Sequence, residues 1–279
     1  MLQEGKIISI YCIIDDLLKG IHHKEHENRK VSDSEIITTA IVSSLYFGGH
    51  LDNARQFMRM TKMCPNMLDK SRFCRRLHAL QDIIVMLFFQ VGEYLKMIAG
   101  ASDYLVDSFP VPVCDNMRIS RCKLIQGKQW RGKHASMHRY FYGVKIHVLT
   151  TSDGIPVEFS FVPGNENDSA GLKKLPLNIA SESKVYGDAG YTDYTIEDDA
   201  YEAEGIKILI QRKSNSKRPD EAYQAFLKEY MRKRVETTFS EVKALFLRKI
   251  HAVTFRGFLL KIILFIWATT LNKITSNLG

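Results

Sequence analysis

The sequence predicts an α/β protein with a mixed five-stranded sheet, preceded by an all-helical N-terminal domain and followed by an apolar C-terminal helix. Three observations carry this prediction. The first hundred residues repeat apolar side chains at helical spacing, the middle of the chain alternates strand and helix patterns, and residues 258–271 form one long apolar run. We therefore expect three segments, residues 1–99, 100–250 and 251–279.

The N-terminal segment contains several helix signals. Ser32 and Glu35 have the spacing of a capping box, and the helix that they start should stop at Gly48-Gly49. A second helix is expected at residues 51 to about 63 and a third at 71 to about 98. Helix, glycine turn, helix is the outline of a helix-turn-helix DNA-binding module, but any small helical bundle also uses glycine at helix ends. Both interpretations remain open.

Beyond Gly100 the chain alternates short strands with helices. Ser152-Asp153-Gly154 is a turn signal, so the two strands beside it should pair as an antiparallel hairpin. The order strand, hairpin, helix, strand, helix, strand, helix is that of an RNase H-like domain. The expected strands are 104–107, 141–150, 155–162, 185–188 and 207–210, and the expected helices are about 169–180, 195–204 and 228–249.

Three acidic residues stand where such a fold would bring them together. Asp107 and Asp188 each close a short apolar strand, and Glu236 lies on the last helix. Side chains at the carboxyl ends of neighbouring strands converge on one crevice. Carboxylates are ligands of Mg²⁺ or Mn²⁺, and two such ions can stabilise both the attacking and the leaving oxygen of a phosphodiester displacement. The sequence thus indicates a two-metal site that acts on nucleic acid.

Other readings of these acids stay open. An aspartate after a strand is often a turn former, and Asp188 is followed by Gly190, which suits a turn. Among the rival carboxylates, Asp103 lies at the beginning of its strand, away from the crevice. Asp115 and Asp193 lie in loops beyond the strand ends and could contact the metal ligands without binding the metal themselves.

Charge agrees with a polyanionic partner. The chain has 39 Lys and Arg residues against 31 Asp and Glu, a formal charge of +8. One stretch has basic residues and no acidic one, so we expect a projecting loop that becomes ordered on a phosphate backbone. Trp130 within it either stacks on an unpaired base or anchors the loop. The basic residues are Arg118, Arg121, Lys123, Lys128, Arg131, Lys133 and Arg139.

Zinc and disulfides are disfavoured. Five cysteines without a C-x-x-C pair fit reduced thiols in a cytoplasm. Cys114 and Cys122 are too widely spaced for a usual zinc site with His134 and His138. A second histidine cluster, at His22, His23 and His26, reads as a solvated loop.

No membrane contact is expected. The apolar run 258–271 has about 14 residues and contains Lys261, whereas a membrane span needs about 20 residues. We therefore interpret it as a buried terminal helix. The N-terminus mixes charged residues into its apolar ones and does not read as a secretory signal.

Several strings together resemble the bacterial insertion-sequence DDE transposases, and most closely the insertion sequence 982 family. They are Val-Asp-Ser-Phe-Pro at 106–110, Phe-Tyr-Gly-Val-Lys-Ile-His at 141–147, Gly-Asp-Ala-Gly-Tyr at 187–191, and the stretch 234–243, with Pro-Val-Cys-Asp-Asn-Met-Arg-Ile at 112–119 in addition. The resemblance covers residues 104–249 and extends more loosely to the helical N-terminus.

The resemblance implies a DDE triad of Asp107, Asp188 and Glu236, with Asp107 bridging two Mg²⁺ or Mn²⁺ ions. Related transposases carry a tyrosine, arginine, glutamate and lysine signature around the last acid. Arg232, Glu236 and Lys243 match it, whereas Tyr230 stands one residue closer to the arginine than usual.

The residues of the last helix support the same reading independently. Arg232, Glu236 and Lys243 are spaced four and seven residues apart, so they share one helix face. Arg232 and Lys243 could neutralise DNA phosphates there. An exposed face with ordinary ion pairs is the alternative.

The expected activity is that of a transposase which binds terminal inverted repeats, cleaves the element ends and joins the freed 3′ hydroxyl to target DNA. A homodimer on double-stranded DNA, in the nucleoid of a bacterial cytoplasm, is the expected setting. Two rival functions remain: an RNase H-like nuclease without strand transfer, and a non-enzymatic, domesticated DNA-binding protein.

Overall fold

The chain forms two compact units in the computed structural model, which describes residues 4–114, 116–134, 139–245 and 250–277. One unit comprises Met1–Gln90 with Ala244–Gly279, and the other comprises Val91–Lys243. The segment boundaries expected at residues 99 and 250 remain predictions. The helices are α1 (Glu4–Gly20), α2 (Asp33–Tyr46), α3 (Leu51–Met60), α4 (Lys70–Ala79), α5 (Gln81–Ala99), α6 (Asp168–Leu172), α7 (Tyr194–Glu204), α8 (Ala222–Leu245) and α9 (Phe255–Asn277).

Helix α2 lies at the centre of the helical unit, in contact with α1, α3, α4 and α9. The predicted capping box at its start is confirmed, because the Ser32 side chain accepts from Glu35 N and the Glu35 side chain accepts from Ser32 N. The predicted stop is also confirmed. Gly48 and Gly49 have φ angles of 54° and 73°, a region that glycine enters without steric cost.

The third predicted helix is wrong in one respect, because the structure has two helices there. Helix α4 ends at Ala79, its C-cap residue Leu80 has ψ near 0°, and α5 begins at Gln81. Leu80 is buried, so tertiary packing holds it at the break. No glycine or proline marks this position, and the apolar periodicity continues across it.

The C-terminal helix α9 is apolar, and Phe258, Phe265 and Trp267 on it are almost fully buried. Among the described residues, one helical span, Phe255–Ser276, is long and apolar enough to cross a membrane, and 72% of its most apolar window is buried. The core helix of a soluble protein has the same length and composition, so this is weak evidence for a membrane.

The second unit is built on a mixed sheet. In the described part of the chain the strands are β1 (Asp103–Cys114), β2 (Arg131–His134), β3 (Arg139–Thr151), β4 (Pro156–Pro163), β5 (Lys184–Gly187) and β6 (Lys207–Ile210). Their order is β2-β3-β1-β5-β6, with β4 also paired to β3. Strands β1, β5 and β6 are parallel, while β3 is antiparallel to its neighbours. The predicted β3–β4 hairpin is confirmed.

The prediction of five strands is wrong, since β2 is a sixth. Its sequence, Arg-Gly-Lys-His, has no apolar alternation that would reveal a strand. Its pairing depends on close approach: a Cβ on Gly132 would lie 2.2 Å from Gly164 O and 2.4 Å from the Phe141 ring. The expected projecting basic loop is corrected accordingly, because two of its residues, Arg131 and Lys133, lie in β2.

The helix predicted after residue 168 and up to about residue 180 is also too long, because α6 ends at Leu172. Pro176 disfavours helical backbone at the residue before it. Beyond it, the buried Glu158 carboxylate accepts hydrogen bonds from Leu177 N and Asn178 N. Leu175, Leu177 and Ile179 enter the core of the sheet unit from this irregular segment, in which Leu177 has a positive φ of 49°.

Strand β1 continues beyond Asp107 to Cys114, so the expectation that Asp107 closes its strand is wrong. However, the parallel pairing of β1 with β5 ends at Leu105↔Tyr186. From Asp107 onward β1 pairs only with β3. Asp107 therefore stands just past the carboxyl end of the parallel part of the sheet, beside the end of β5.

Candidate active site

One pocket of the sheet unit gathers half of the predicted site residues, including all three acids. It lies at the carboxyl end of the parallel strands, and α8 forms one wall. Its charged lining residues are Asp107, Asp168, Asp188, Glu236, Lys133, Lys145, Lys228, Arg232 and Lys243. The three acids expected to act together thus line one cavity, with basic side chains between them.

Asp107 lies deepest of the three predicted acids, with 24% of its side chain exposed. Ser108 N donates to Asp107 Oδ1 over 2.7 Å, and Lys243 Nζ donates to Oδ2 over 3.2 Å. Burial raises the pKa of the Asp107 carboxyl, the Lys243 ammonium opposes this, and the charge of Asp188 raises it further. The Asp107 carboxylate thus has one cationic partner, Lys243, and one like-charged neighbour, Asp188.

Asp188 directly follows β5 and caps a short 3₁₀ turn, Ala189–Tyr191. Its Oδ1 accepts from Gly190 N over 2.6 Å. The turn-former reading is therefore borne out by geometry, and the same side chain lines the pocket. A capping carboxylate uses one oxygen for the turn and leaves the other available.

Helix α8 presents Arg232, Glu236 and Lys243 along the pocket, as their spacing predicts. Arg232 Nε donates to Glu236 Oε1 over 3.1 Å. Lys243 reaches from α8 to Asp107, and its ammonium lies 5.8 Å from the centre of the Phe109 ring. Tyr230 is 57% exposed and is not among the residues that line this pocket.

A fourth carboxylate, Asp168, was not singled out by sequence reasoning. It is the first residue of α6 and lines the same pocket. Its Oδ1 accepts from Ser108 Oγ over 3.0 Å and from Lys145 Nζ over 3.1 Å. Only a run of polar residues, Asn-Glu-Asn-Asp at 165–168, marked this segment, and such runs are common in turns.

His147 and Tyr191 form a buried pair next to this network, and they were also missed. His147 Nδ1 and Tyr191 Oη are 2.8 Å apart. Burial lowers the pKa of His147 to about 4, so its ring is neutral at pH 7. Burial also raises the pKa of Tyr191, and the charges of Asp107 and Asp168 raise it further. The His147–Tyr191 pair is therefore buried and uncharged at pH 7.

The predicted basic segment is only partly at the pocket. Lys133 lines it, whereas the other predicted DNA-binding residues of the segment do not. Trp130 Nε1 donates to Gln126 O over 3.0 Å, a contact within its own loop. The remaining residues lie in the 3₁₀ turn Asn116–Arg121 (Arg118 and Arg121), in the connection after it (Lys123), in the 3₁₀ turn Lys128–Trp130 (Lys128) and in β2 (Arg131).

The rival carboxylates lie elsewhere. Asp103 begins β1 and pairs in register with Lys184. Asp193 caps α7 through Thr195 N and contacts Lys173 Nζ at 3.2 Å. Asp115 lies outside the described residues, as does His138 of the disfavoured zinc set. In the described part of the chain, Cys114 and Cys122 are not joined by a disulfide.

The carboxylates of the pocket are the type of ligand that a divalent cation prefers, but in this structure they are not gathered into a metal-binding cluster. Across residues 4–114, 116–134, 139–245 and 250–277, no group of three or more His, Cys, Asp and Glu side chains is close enough to hold a metal ion. Instead Lys243, Lys145 and Arg232 each neutralise one carboxylate. Carboxylate oxygens that already attract ammonium groups in a half-buried pocket are the hard ligands that Mg²⁺ and Mn²⁺ prefer.

Comparison with known proteins identifies the family. A family model described as a transposase DDE domain matches residues 100–252, a range that contains the whole pocket. No curated protein and no solved structure gives a significant match. The domain is that of enzymes which cut and join DNA, so transposition and DNA recombination are the activity class. Because the match covers more than half of the chain, this protein belongs to the DDE-domain transposases.

Proposed function

We propose that this transposase binds the terminal inverted repeats of its element, hydrolyses the DNA at the element ends and transfers the freed 3′ hydroxyl to target DNA. One observation carries the proposal: Asp107, Asp188 and Glu236 line a single pocket within the matched domain. The order β4-β3-β1-β5-β6, with β3 antiparallel, supports an RNase H-like catalytic domain.

Asp107, Asp188 and Glu236 would hold two Mg²⁺ or Mn²⁺ ions. When bound, such ions activate the attacking oxygen and stabilise the charge that develops on the phosphate. Asp107 can serve this purpose because Ser108 N fixes its Oδ1. Asp188 is fixed by its own turn through Gly190 N. Glu236 is 64% exposed and sits on a helix, so it is the ligand with most freedom to adjust.

Basic residues of the pocket would hold the scissile strand. Arg232 and Lys243 stand on the same helix as Glu236, and Lys133 and Lys145 come from the sheet. Lysine and arginine near phosphates supply binding energy that falls with rising salt. If Asp107 and Glu236 held cations, Lys243 and Arg232 would be released from these carboxylates and could contact phosphates.

The wider DNA contacts remain part of the proposal. Arg118, Arg121, Lys123, Lys128, Trp130 and Arg131 would contact DNA outside the pocket, and the N-terminal helices would contribute specificity as a helix-turn-helix module. Joining two element ends requires at least two protomers, which supports a homodimer on DNA. The resemblance to the insertion sequence 982 family supports assignment to that group.

The direct test uses purified protein and a duplex that carries one element end with its flanking DNA. With Mg²⁺, we expect a nick at the element boundary in wild type and no nick in Asp188→Ala. A nick of unchanged rate in Asp188→Ala would contradict the triad assignment. Asp193→Ala is the matched control, because that aspartate lies outside the pocket.

The rival functions predict different products. A nuclease without strand transfer would nick the same duplex but would not join a pre-cleaved end to a plasmid. A non-enzymatic DNA-binding protein would bind the end and do neither. The retention of carboxylates at all three pocket positions favours the enzyme over the second rival.

A further inference from the structure

Asp168 lies in the candidate active site but has no place in the triad. It follows β4, at the point where the chain returns to the pocket, and 25% of its side chain is exposed. A carboxylate close to two other acids costs free energy through like-charge repulsion unless cationic groups or hydrogen bonds offset that repulsion. The contacts of Asp168 show which groups do so here.

One oxygen of Asp168 connects it to Asp107. Asp168 Oδ1 accepts from Ser108 Oγ over 3.0 Å, and Ser108 N donates to Asp107 Oδ1 over 2.7 Å. A single residue, Ser108, thus touches both carboxylates. Any rotation of the Asp107 side chain away from the pocket must break the bond to Ser108 N.

A lysine pairs with Asp168 in this arrangement. Lys145 Nζ donates to Asp168 Oδ1 over 3.1 Å and to Glu166 O over 2.7 Å. Lys145 itself is 15% exposed and comes from β3, the strand that pairs with β1 beside Asp107. Strand β3 therefore positions Lys145, and the hydrogen bond from Lys145 Nζ positions the Asp168 carboxylate.

The other oxygen of Asp168 faces Asp188. A Cβ placed on Gly190 would lie 2.6 Å from Asp168 Oδ2 and 2.9 Å from Asp188 Oδ1. Both oxygens are therefore within 3 Å of one point, and only glycine leaves room between them. Asp168 is thus linked to Asp107 by hydrogen bonds through Ser108. Its other oxygen lies on the same side of Gly190 as an oxygen of Asp188.

We propose that Asp168 is a positioning residue of the active site, which holds Ser108 and Lys145 so that Asp107 and Asp188 face the same cation. The proposal rests on the proposed function, since it concerns the metal site of that reaction. Partners that orient metal ligands commonly change metal affinity 10- to 100-fold when they are removed.

The fold around Asp168 does not depend on its carboxylate. Ser160 Oγ donates to Gly171 O over 2.8 Å, and Leu172 is buried in the core. Gly171 also packs directly against the His147 ring. These contacts anchor α6 independently, so removal of the Asp168 carboxylate should leave the thermal unfolding temperature within a few degrees of wild type.

The experiment measures Mn²⁺ affinity of the full chain by electron paramagnetic resonance, without DNA and without turnover. We expect Asp168→Ala and Ser108→Ala each to weaken Mn²⁺ binding about tenfold. Because both act through the same link, the double variant should lose no more than about the larger single loss. Glu166→Ala is the matched control: it removes an acid two residues away that is outside the pocket lining and keeps the carbonyl bound by Lys145.

Three results would overturn the proposal. One is wild-type Mn²⁺ affinity in Asp168→Ala, and another is multiplication of the two single losses in the double variant. The third is an unfolded Asp168→Ala protein together with normal Mn²⁺ affinity in Ser108→Ala. The variant Asp107→Asn separates this proposal from the proposed function. Unchanged Mn²⁺ affinity in Asp107→Asn would contradict the proposed metal site itself. Weaker Mn²⁺ binding in Asp107→Asn together with wild-type affinity in Asp168→Ala would contradict only the role of Asp168.

Discussion

Two groups of ion pairs in residues 91–243 use the same side-chain types in different ways. In the linker cluster, defined as Glu197, Asp198, Arg212 and Arg218, each arginine donates from two nitrogens to both oxygens of one carboxylate. Both guanidinium groups also lie over the Tyr194 ring, at 5.1 and 4.7 Å from its centre. Neither carboxylate there has an oxygen without a basic partner.

The pocket pairs are single contacts. Lys243 reaches one oxygen of Asp107, and Arg232 reaches one oxygen of Glu236. In the part of the chain that the structure describes, no basic side chain pairs with Asp188, whose bond is to a backbone nitrogen. Two-point guanidinium pairs fix a geometry, whereas one-point pairs can exchange a lysine for another cation. The two-point pairs of the linker cluster stabilise the connection from β6 to α8. The one-point pairs of the pocket leave its carboxylates able to bind another cation.

The largest expected effect comes from the pocket acids. Asp107→Asn should reduce the joining of element ends by about 10³-fold or more, because it removes a carboxylate that we propose as a metal ligand, and loss of such a ligand costs several kcal/mol in the transition state. Asp198→Asn, the matched loss of a carboxylate in the linker cluster, should retain joining. Rates on a pre-cleaved end provide the measurement. Equal losses in both variants would mean that the two groups do not differ in function.

The next largest effect is on stability, and here the loss should be larger in the linker cluster than in the pocket. Arg212→Met should lower the free energy of unfolding by about 3 kcal/mol, because it leaves the buried Glu197 carboxylate without its partner. Arg232→Met, in the exposed pair of the pocket, should leave the urea midpoint nearly unchanged. Urea unfolding of both variants tests this contrast. A larger loss in Arg232→Met would reverse the comparison.

Local signals predicted much of the sheet unit. Strand β6 has the predicted bounds, Lys207–Ile210, and the hairpin turn lies at the predicted glycine. Similarly, the shared face of Arg232, Glu236 and Lys243 followed from helical spacing alone. Each of these features depends on residues that are close in sequence, so periodicity and turn chemistry suffice.

Features set by distant contacts were not predictable. Strand β2 exists because Gly132 fits against Phe141 and Gly164, and the end of α4 depends on the burial of Leu80. Asp168 became visible only once the fold brought it to Ser108, sixty residues earlier in the chain. An aspartate in a polar loop has the same local sequence whether it caps a turn or faces an active site.

A smaller effect should follow from crowding between two pocket acids. Gly190→Ala would force Asp168 and Asp188 apart, because its Cβ would lie under 3 Å from an oxygen of each. We expect a loss of joining of about 10- to 100-fold, the range found when partners of metal ligands are displaced. Gly20→Ala is the control, since nothing lies within 4 Å of the added methyl group. Wild-type joining in Gly190→Ala would show that the two carboxylates need not be close.

The smallest effect concerns pH. Burial raises the pKa of Asp107 and the Lys243 ammonium lowers it, so Lys243→Met should raise that pKa further. Mn²⁺ binds the ionised carboxylate, and its affinity is therefore lost as the pH falls through the pKa of Asp107. The midpoint of this loss should move to higher pH in Lys243→Met and stay in place in Lys233→Met, an exposed lysine of the same helix. A shift to lower pH would contradict the ion pair.

The most direct test of the central claim is strand joining of pre-cleaved element-end DNA to a plasmid, in Mg²⁺ or Mn²⁺, for wild type and Glu236→Gln. Glutamine preserves the size of the side chain and removes only its charge. The account predicts that wild type joins the ends, and that Glu236→Gln binds the same DNA but does not join it. Joining at the wild-type rate by Glu236→Gln would contradict the claim that Asp107, Asp188 and Glu236 form one catalytic site.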